Sequence, residues 1–338
     1  MTISCARTDI DPAAPDCERR EGSGEPDSGW NEVQELNRVQ ACMKEHVLGL
    51  THGPATEAAT YQIRSGGSFL RARLALASGH SFGRSIEYRV AAAAACELIH
   101  NASLVHDDLS DGDEQRRGKA TVWRQFGEDV ALCTGDLLLC AAFGVAAELE
   151  TPEESRALTQ QLSRLTSCTI VGQSREVASS HDQHLPGLRQ YLETTSAKTV
   201  PLIELPLMSG VVAARADAVT QAGIVRLARS VGLAYQIIDD LDDLTEETPA
   251  LHPFHAWHHH RPVGQRSAGA RFRRATQHAF AALNRAQRAL DELERHAVGG
   301  LAGRLQPLLS QLESRAIAHR RTGSDEGGAA LHGVSQQQ

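Results

Sequence analysis

Residues 90–111 read VAAAAACELIHNASLVHDDLSD, an apolar stretch that ends in three aspartates. A run of alanines followed by leucine, isoleucine and valine describes a helix that is apolar almost all round. Such a helix belongs at the centre of a large bundle rather than on its surface. Asp107 and Asp111 are four apart and Asp108 and Asp111 three apart, so the three carboxylates can share one face near the helix end. The stretch VALCTGDLLLCAAFGVAA at 130–147 has the same all-round apolarity.

Working outward, the rest of the chain repeats this character. Alanine and leucine are abundant, aromatics amount to 4%, and strand-like runs are short, so the class is all-α. The length, 338 residues, admits two domains or one large helical core. Apolar periodicity and Gly, Pro or charged punctuation predict helices at roughly 30–50, 54–80, 86–110, 119–126, 128–150, 152–180, 187–212, 217–245 and 268–320. Residues 1–29 and 321–338 are poor in large apolar side chains and are expected to be disordered tails around one helical domain over 30–320.

Composition also excludes function classes. The formal net charge is -8 with no block of basic residues, which leaves no footprint for nucleic acid or an anionic membrane. The N-terminus lacks the basic start and apolar core of a secretory signal. No apolar run is read as approaching the roughly 18 residues of a membrane span, so a cytoplasmic protein is expected. The seven cysteines are odd in number and lack metal-type spacing, which reads as buried free thiols of a reducing compartment.

A second acidic run closes GLAYQIIDDLDDL at 232–244, where Asp239, Asp240 and Asp243 repeat the first spacing at the end of another apolar helix. Carboxylates gathered this way repel one another, and burying them is unfavourable unless a cation compensates. Hard oxygen ligands at a helix end suit Mg²⁺, which keeps some of its waters and bridges a few carboxylates to substrate phosphates. Either DDxxD taken singly also reads as a solvated acidic helix end. The pairing of two such ends points to a diphosphate held by cations between them.

In order and spacing, ELIHNASLVHDDLSD (97–111), RRGKATVWRQFG (116–127), ALCTGDLLL (131–139), the Lys198-Thr199 pair in ETTSAKTVPLIE (193–204) and GLAYQIIDDLDDL resemble the trans-polyprenyl diphosphate synthases. That family includes farnesyl and geranylgeranyl diphosphate synthases, and the likeness runs from about residue 60 to 245. It implies a helical bundle of the isoprenoid synthase type with a central cavity. The activity it implies is a Mg²⁺-dependent prenyltransferase that extends an allylic diphosphate with isopentenyl diphosphate.

By the same resemblance, Asp107, Asp108, Asp111, Asp239 and Asp243 would hold Mg²⁺, three ions once diphosphate is bound, with Asp240 supporting the second set. Arg116, Lys198, Thr199 and Gln236 would contact the allylic diphosphate, and Arg71, His100 and Arg117 the isopentenyl diphosphate. A lone His100 in an apolar helix also reads as a satisfied core histidine, and a lone Lys198 as a surface charge. Ala102 and Ser103, just upstream of the first aspartates, would set product length; both are small, which implies geranylgeranyl diphosphate. A homodimer is implied as well.

The chain departs from the family pattern in places. The usual GGKRxRP reads Gly66-Gly67-Ser68-Phe69-Leu70-Arg71-Ala72, so Ser68 stands where a lysine helps to bind isopentenyl diphosphate. After Asp243 the usual glycine- and lysine-containing segment gives way to TEETPALHPFHAWHHHRPVGQR. His252, His255, His258, His259 and His260 in that segment are read as a surface loop, because no Cys or carboxylate accompanies them at ligand spacing. Missing cations leave room for a cyclase that ionises a ready-made prenyl diphosphate, or for a non-catalytic subunit of a heteromeric synthase. Retention of both aspartate sets weighs against either.

Overall fold

Alanine, leucine and the other good helix formers leave the backbone little alternative, and nearly every described residue is helical. The computed structural model describes residues 31–50, 52–180, 188–243, 268–296 and 300–329. The helices are α1 (Glu32–Leu50), α2 (Pro54–Arg64), α3 (Leu70–Ser81), α4 (Ile86–Asp111), α5 (Val122–Phe126), α6 (Glu128–Ala147), α7 (Pro152–Ser180), α8 (Leu188–Ala213), α9 (Ala218–Asp243), α10 (Ala268–Arg295) and α11 (Leu301–Ala329). A two-residue ribbon, β1 (Gln115–Arg116) against β2 (Lys119–Ala120), follows α4.

The helices pack in two rows. α4 lies against α6, α3 and α1, and α3 in turn lies against α8. A second row runs α7, α8, α9, α10 and α11, each against the next. Leu98, Ala102 and Val105 of α4, Leu138 and Ala142 of α6, and Ile203 and Leu207 of α8 are fully buried. Each buried leucine or isoleucine contributes about 1.5–3 kcal/mol relative to exposure.

Two local features place the functional end of the bundle. α4 begins with the Ser85 hydroxyl accepting the Tyr88 N–H at 3.2 Å and ends on Gly112, whose φ of 72° stops the helix directly after Asp111. The aspartates therefore sit beside the last carbonyls of the helix, where its dipole is also negative. Gly172 lets α7 press onto the α8 backbone, since a Cβ there would come within 2.5 Å of the Ala197 carbonyl carbon. Lys198 is the next residue.

The structure corrects several sequence expectations. The helix expected over 54–80 is two, because Gly66 and Gly67 (φ 80° and 153°) and Phe69 (φ 51°) turn the chain between α2 and α3. The helix expected over 268–320 is also two, with Gly300 at φ 77° opening α11. The helix expected from 119 begins at Val122, since Arg117 and Gly118 (φ 54° and 72°) form the left-handed pair that joins a two-residue hairpin. α11 runs to Ala329, past the boundary expected at 320, because extending an established helix needs no new nucleation.

The expectation of no long apolar run fails at α6, which is long and apolar enough to cross a membrane by composition alone and is less than half buried. Ala131, Leu138, Ala142 and Val145 give it a buried face in this bundle. Burial of the thiols also fails in part. Cys96 is buried, but Cys133 and Cys140 on α6 and Cys168 on α7 are exposed, on helix faces that the bundle leaves uncovered. The N-terminal tail, the end of the C-terminal one, and the histidine-rich segment lie outside the described residues.

Candidate active site

The first aspartate set divides by helix geometry. Asp107 and Asp111, one turn apart, share a face, and Lys198 of α8 reaches Asp107 at 3.5 Å. Burial pushes the Asp107 carboxyl up to about 6; Lys198 opposes this, while Asp111 and Glu176 add to it. Burial likewise raises Asp111. Lys198 also pairs with Glu176 of α7 at 2.8 Å. Burial disfavours the ammonium, yet Asp107 and Glu176 together hold its pKa above the ordinary lysine range.

Asp108, one position round the helix, is almost fully buried and points elsewhere. Its Oδ1 accepts from Arg116 Nε at 2.6 Å and lies 2.5 Å from Arg116 Nη2, and its Oδ2 has no hydrogen-bond partner among the described residues. Burial raises its pKa, and the bond from Arg116 pulls against that. The hairpin turn that carries Arg116 therefore folds back onto the helix end it follows.

The same turn sends Arg117 the other way, onto the glycine loop between α2 and α3. Its guanidinium donates to the Gly66 carbonyl and lies against Gly67, where a Cβ would come within 2.6 Å of Nη1. Arg71, at the start of α3, and His100, a buried residue of α4, stand nearby. Burial and the charges of Arg71 and Arg117 hold His100 well below its usual pKa, so it is neutral. Arg71 Nε and His100 Nδ1 are buried without hydrogen-bond partners among the described residues. Glu97 accepts the Ala72 N–H at 3.0 Å and ties the start of α3 to α4. Buried polar atoms left open in a cationic setting fit an anion such as diphosphate.

On α9, Asp240 is buried and fixed, accepting from Gln236 Nε2 at 2.8 Å and from the Tyr191 hydroxyl of α8. Gln236 Oε1 accepts from Thr199 at 2.8 Å. Asp239, half-exposed, has Arg315 of α11 at 3.1 Å. Asp242 is held by Arg315 and by His319 of the same helix. The Asp243 side chain lies outside what the structure describes.

These contacts close a ring. Asp107 meets Lys198; its neighbour Thr199 meets Gln236, one turn before Asp239 and Asp240. Arg315 joins Asp239 to the ring of Tyr235, with its guanidinium carbon 6.0 Å from the centroid. Arg71 lies 5.4 Å from the same centroid and faces His100 on α4, two turns before Asp107. Of the expected residues, Asp107, Lys198, Thr199, Gln236, Asp239, Asp240, Arg71 and His100 are joined by these contacts, and Arg116 reaches the same helix end through Asp108.

Ala102 is not among them. It is fully buried, in register with the equally buried Leu98 and Val105 on the core side of α4. Ser103, one turn before Asp107, is partly open, with its hydroxyl donated to the His100 carbonyl at 2.8 Å. Glu176, Tyr191, Arg315 and His319 escape the sequence reading. Each sits on a long helix without a motif to single it out from neighbouring polar residues.

The donor set suits a hard divalent cation: carboxylates at a helix C-terminus, Asp108 buried and Asp107 partly so, raised in pKa, with an unpartnered oxygen on Asp108. Among the described residues no three His, Cys, Asp or Glu side chains converge closely enough to enclose an ion by themselves. An ion here would complete its shell with water and substrate oxygens, as Mg²⁺ does.

A family model described as polyprenyl synthetase matches residues 54–252. The chain belongs to the polyprenyl synthetase family. The chain is 32% identical over 194 residues to a short chain isoprenyl diphosphate synthase of Methanocaldococcus jannaschii, covering 57% of the chain and 59% of the relative. It is 31% identical over 265 residues to a geranylgeranyl diphosphate synthase of Mycobacterium tuberculosis, covering 77% and 70%. The fold is similar to an isoprenoid synthase family member from Thermotoga neapolitana, with a TM-score of 0.66 and 25% identity over 83% of this chain and 99% of that one. The matched stretch spans less than two thirds of the length of several curated relatives.

Proposed function

We propose that this chain joins isopentenyl diphosphate to an allylic prenyl diphosphate with the help of Mg²⁺ held by the two aspartate sets, and releases a longer trans-prenyl diphosphate. The chain of contacts that links Asp107, Lys198, Asp239, Arg71 and His100 supports this reading. Curated relatives named as short chain isoprenyl, farnesyl and geranylgeranyl diphosphate synthases support it.

Asp107, Asp108 through its open Oδ2, Asp111, Asp239 and Asp243 would hold the ions, with Asp240 bracing the second set. Bound Mg²⁺ supplies Lewis-acid stabilisation of the diphosphate as it leaves the allylic carbon. Lys198 donates to the same diphosphate, and being already charged and fixed by Glu176 it needs no reorganisation as negative charge develops. Arg116, released from Asp108 Oδ1 or sharing it, adds a planar fork. On the other wall, Arg71, Arg117 and neutral His100 orient isopentenyl diphosphate so that its alkene faces the allylic carbon. A carbon–carbon bond forms as the carbon–oxygen bond breaks, and the proton lost from the new chain goes to the departing diphosphate. No side-chain nucleophile is required.

Product length follows from the open face of α4 beyond Asp107. Ser103 is small there, which supports geranylgeranyl diphosphate as the product. A homodimer fits the uncovered apolar residues Leu132 on α6 and Ile170, Val171 and Val177 on α7. Incubating the isolated protein with labelled isopentenyl diphosphate, Mg²⁺ and each allylic primer tests the whole reading. Chain extension supports it; a cyclic hydrocarbon, or no product until a second chain is added, overturns it.

A further inference from the structure

Arg315 holds a position that the metal-ion reading leaves unexplained. It comes from α11, at the far end of the sequence from the first aspartates, and its Nη2 lies 3.1 Å from Asp239 Oδ1. Its Nε donates to Asp242 Oδ2 at 2.9 Å, and Nη2 reaches that oxygen too. The other oxygen of Asp242 is engaged by His319, one turn further along α11. Asp242 is thus a double anchor to α11, while the contact to Asp239 is a single one.

This arrangement gives the second aspartate set a cation in a chain that departs from its family at two cationic positions. Ser68 replaces the lysine of the glycine loop, and the segment after Asp243 lacks the customary lysine. Two carboxylates at the end of α9 need a counter-charge before any ion arrives, and a guanidinium suits them because its fork bridges two acceptors. Among the described residues, Arg315 is the ion-pair partner of Asp239.

We propose that Arg315 is the resident counter-cation of the second aspartate set, and that a divalent ion reaches Asp239 only by displacing it. The anchor on Asp242 keeps the displaced guanidinium at the cleft, so Arg315 acts as a positioning residue that makes metal binding at Asp239 weak until a diphosphate adds its own oxygens. The inference rests on the reading that Asp239 is a metal ligand.

Mn²⁺ binding to the full-length chain, followed by electron paramagnetic resonance with and without inorganic pyrophosphate, tests it. Without pyrophosphate, R315Q should bind Mn²⁺ about fivefold more tightly than the parent protein, the effect of removing one partly exposed ion pair. R315K, which keeps the charge, should stay near the parent value. Adding D239N to R315Q should abolish the gain. Unchanged or weaker Mn²⁺ binding by a folded R315Q, as judged by its helical circular dichroism, overturns the proposal, as does a gain that survives D239N. Should the parent bind no Mn²⁺ even with pyrophosphate, the metal-ion reading itself fails instead.

Discussion

The Lys198 ammonium stands between two carboxylates on different helices, 3.5 Å from Asp107 on α4 and 2.8 Å from Glu176 on α7. Three helices are joined through one charge, and the absent side chain of Gly172 is what lets α7 come close enough to take part. Removing the ammonium leaves two partly buried carboxylates facing each other.

Lys198→Ala should therefore weaken binding of the allylic diphosphate by tens of fold, on the scale of about 1.5–3 kcal/mol for one charge-assisted bond. The KM for the allylic primer checks this. Glu176→Gln keeps the lysine but leaves it only its Asp107 partner, and should give a smaller rise in the same constant. Equal losses in both variants would show that Glu176 acts on substrate directly.

The raised pKa of Asp107 fixes the sign of a pH effect. Because the folded protein holds this proton more tightly than the unfolded chain, the group's contribution to metal-free stability falls as pH rises from the ordinary carboxylate range to about 6 and is level above it. Divalent binding runs the other way, since the ligand must be ionised. Mn²⁺ affinity in the presence of pyrophosphate should fall by up to about tenfold per pH unit below 6. Asp107→Asn should flatten that slope, as measured by calorimetric titration at several pH values.

Ser103 and Ala102 separate product length from stability. Ser103→Phe places a ring on the open face one turn before Asp107 and should shorten the product, as read by chromatography. Ala102→Phe forces a ring into a filled core and should instead lower stability by about 1–3 kcal/mol or more, seen as a fall in Tm.

The glycine loop offers a gain as well as a loss. Gly67→Ala would push the Arg117 guanidinium aside and should raise the KM for isopentenyl diphosphate with little effect on that for the allylic primer. Ser68→Lys restores a cation at an exposed position of the same loop and should lower that KM several-fold. No change in either variant would place isopentenyl diphosphate elsewhere.

Much of this molecule was legible before folding. Abundant alanine and leucine named the fold class, because those residues lose little on entering a helix, and the two DDxxD runs at the ends of apolar helices pointed to a cation that would offset their mutual repulsion. Helix breaks at Gly66, Gly67 and Gly300 were harder to read, since a glycine within an apolar pattern is tolerated as often as it turns the chain. Spacing placed Asp107, Asp108 and Asp111 together on one face; the structure instead turns Asp108 to Arg116, which depends on a hairpin whose left-handed residue is an arginine.

What the sequence determined by itself is the inventory and periodicity: which segments are helices, and which of their ends are acidic. Tertiary structure alone decided which cations those ends meet. Glu176, Arg315 and His319 lie far from the aspartates along the chain, and ion pairs between distant segments leave no periodic trace. The same holds for Ala102 and Ser103, adjacent in sequence but about 100° apart around α4, so that one faces core and the other cleft. Neighbouring helices, rather than local preference, fix which face is covered.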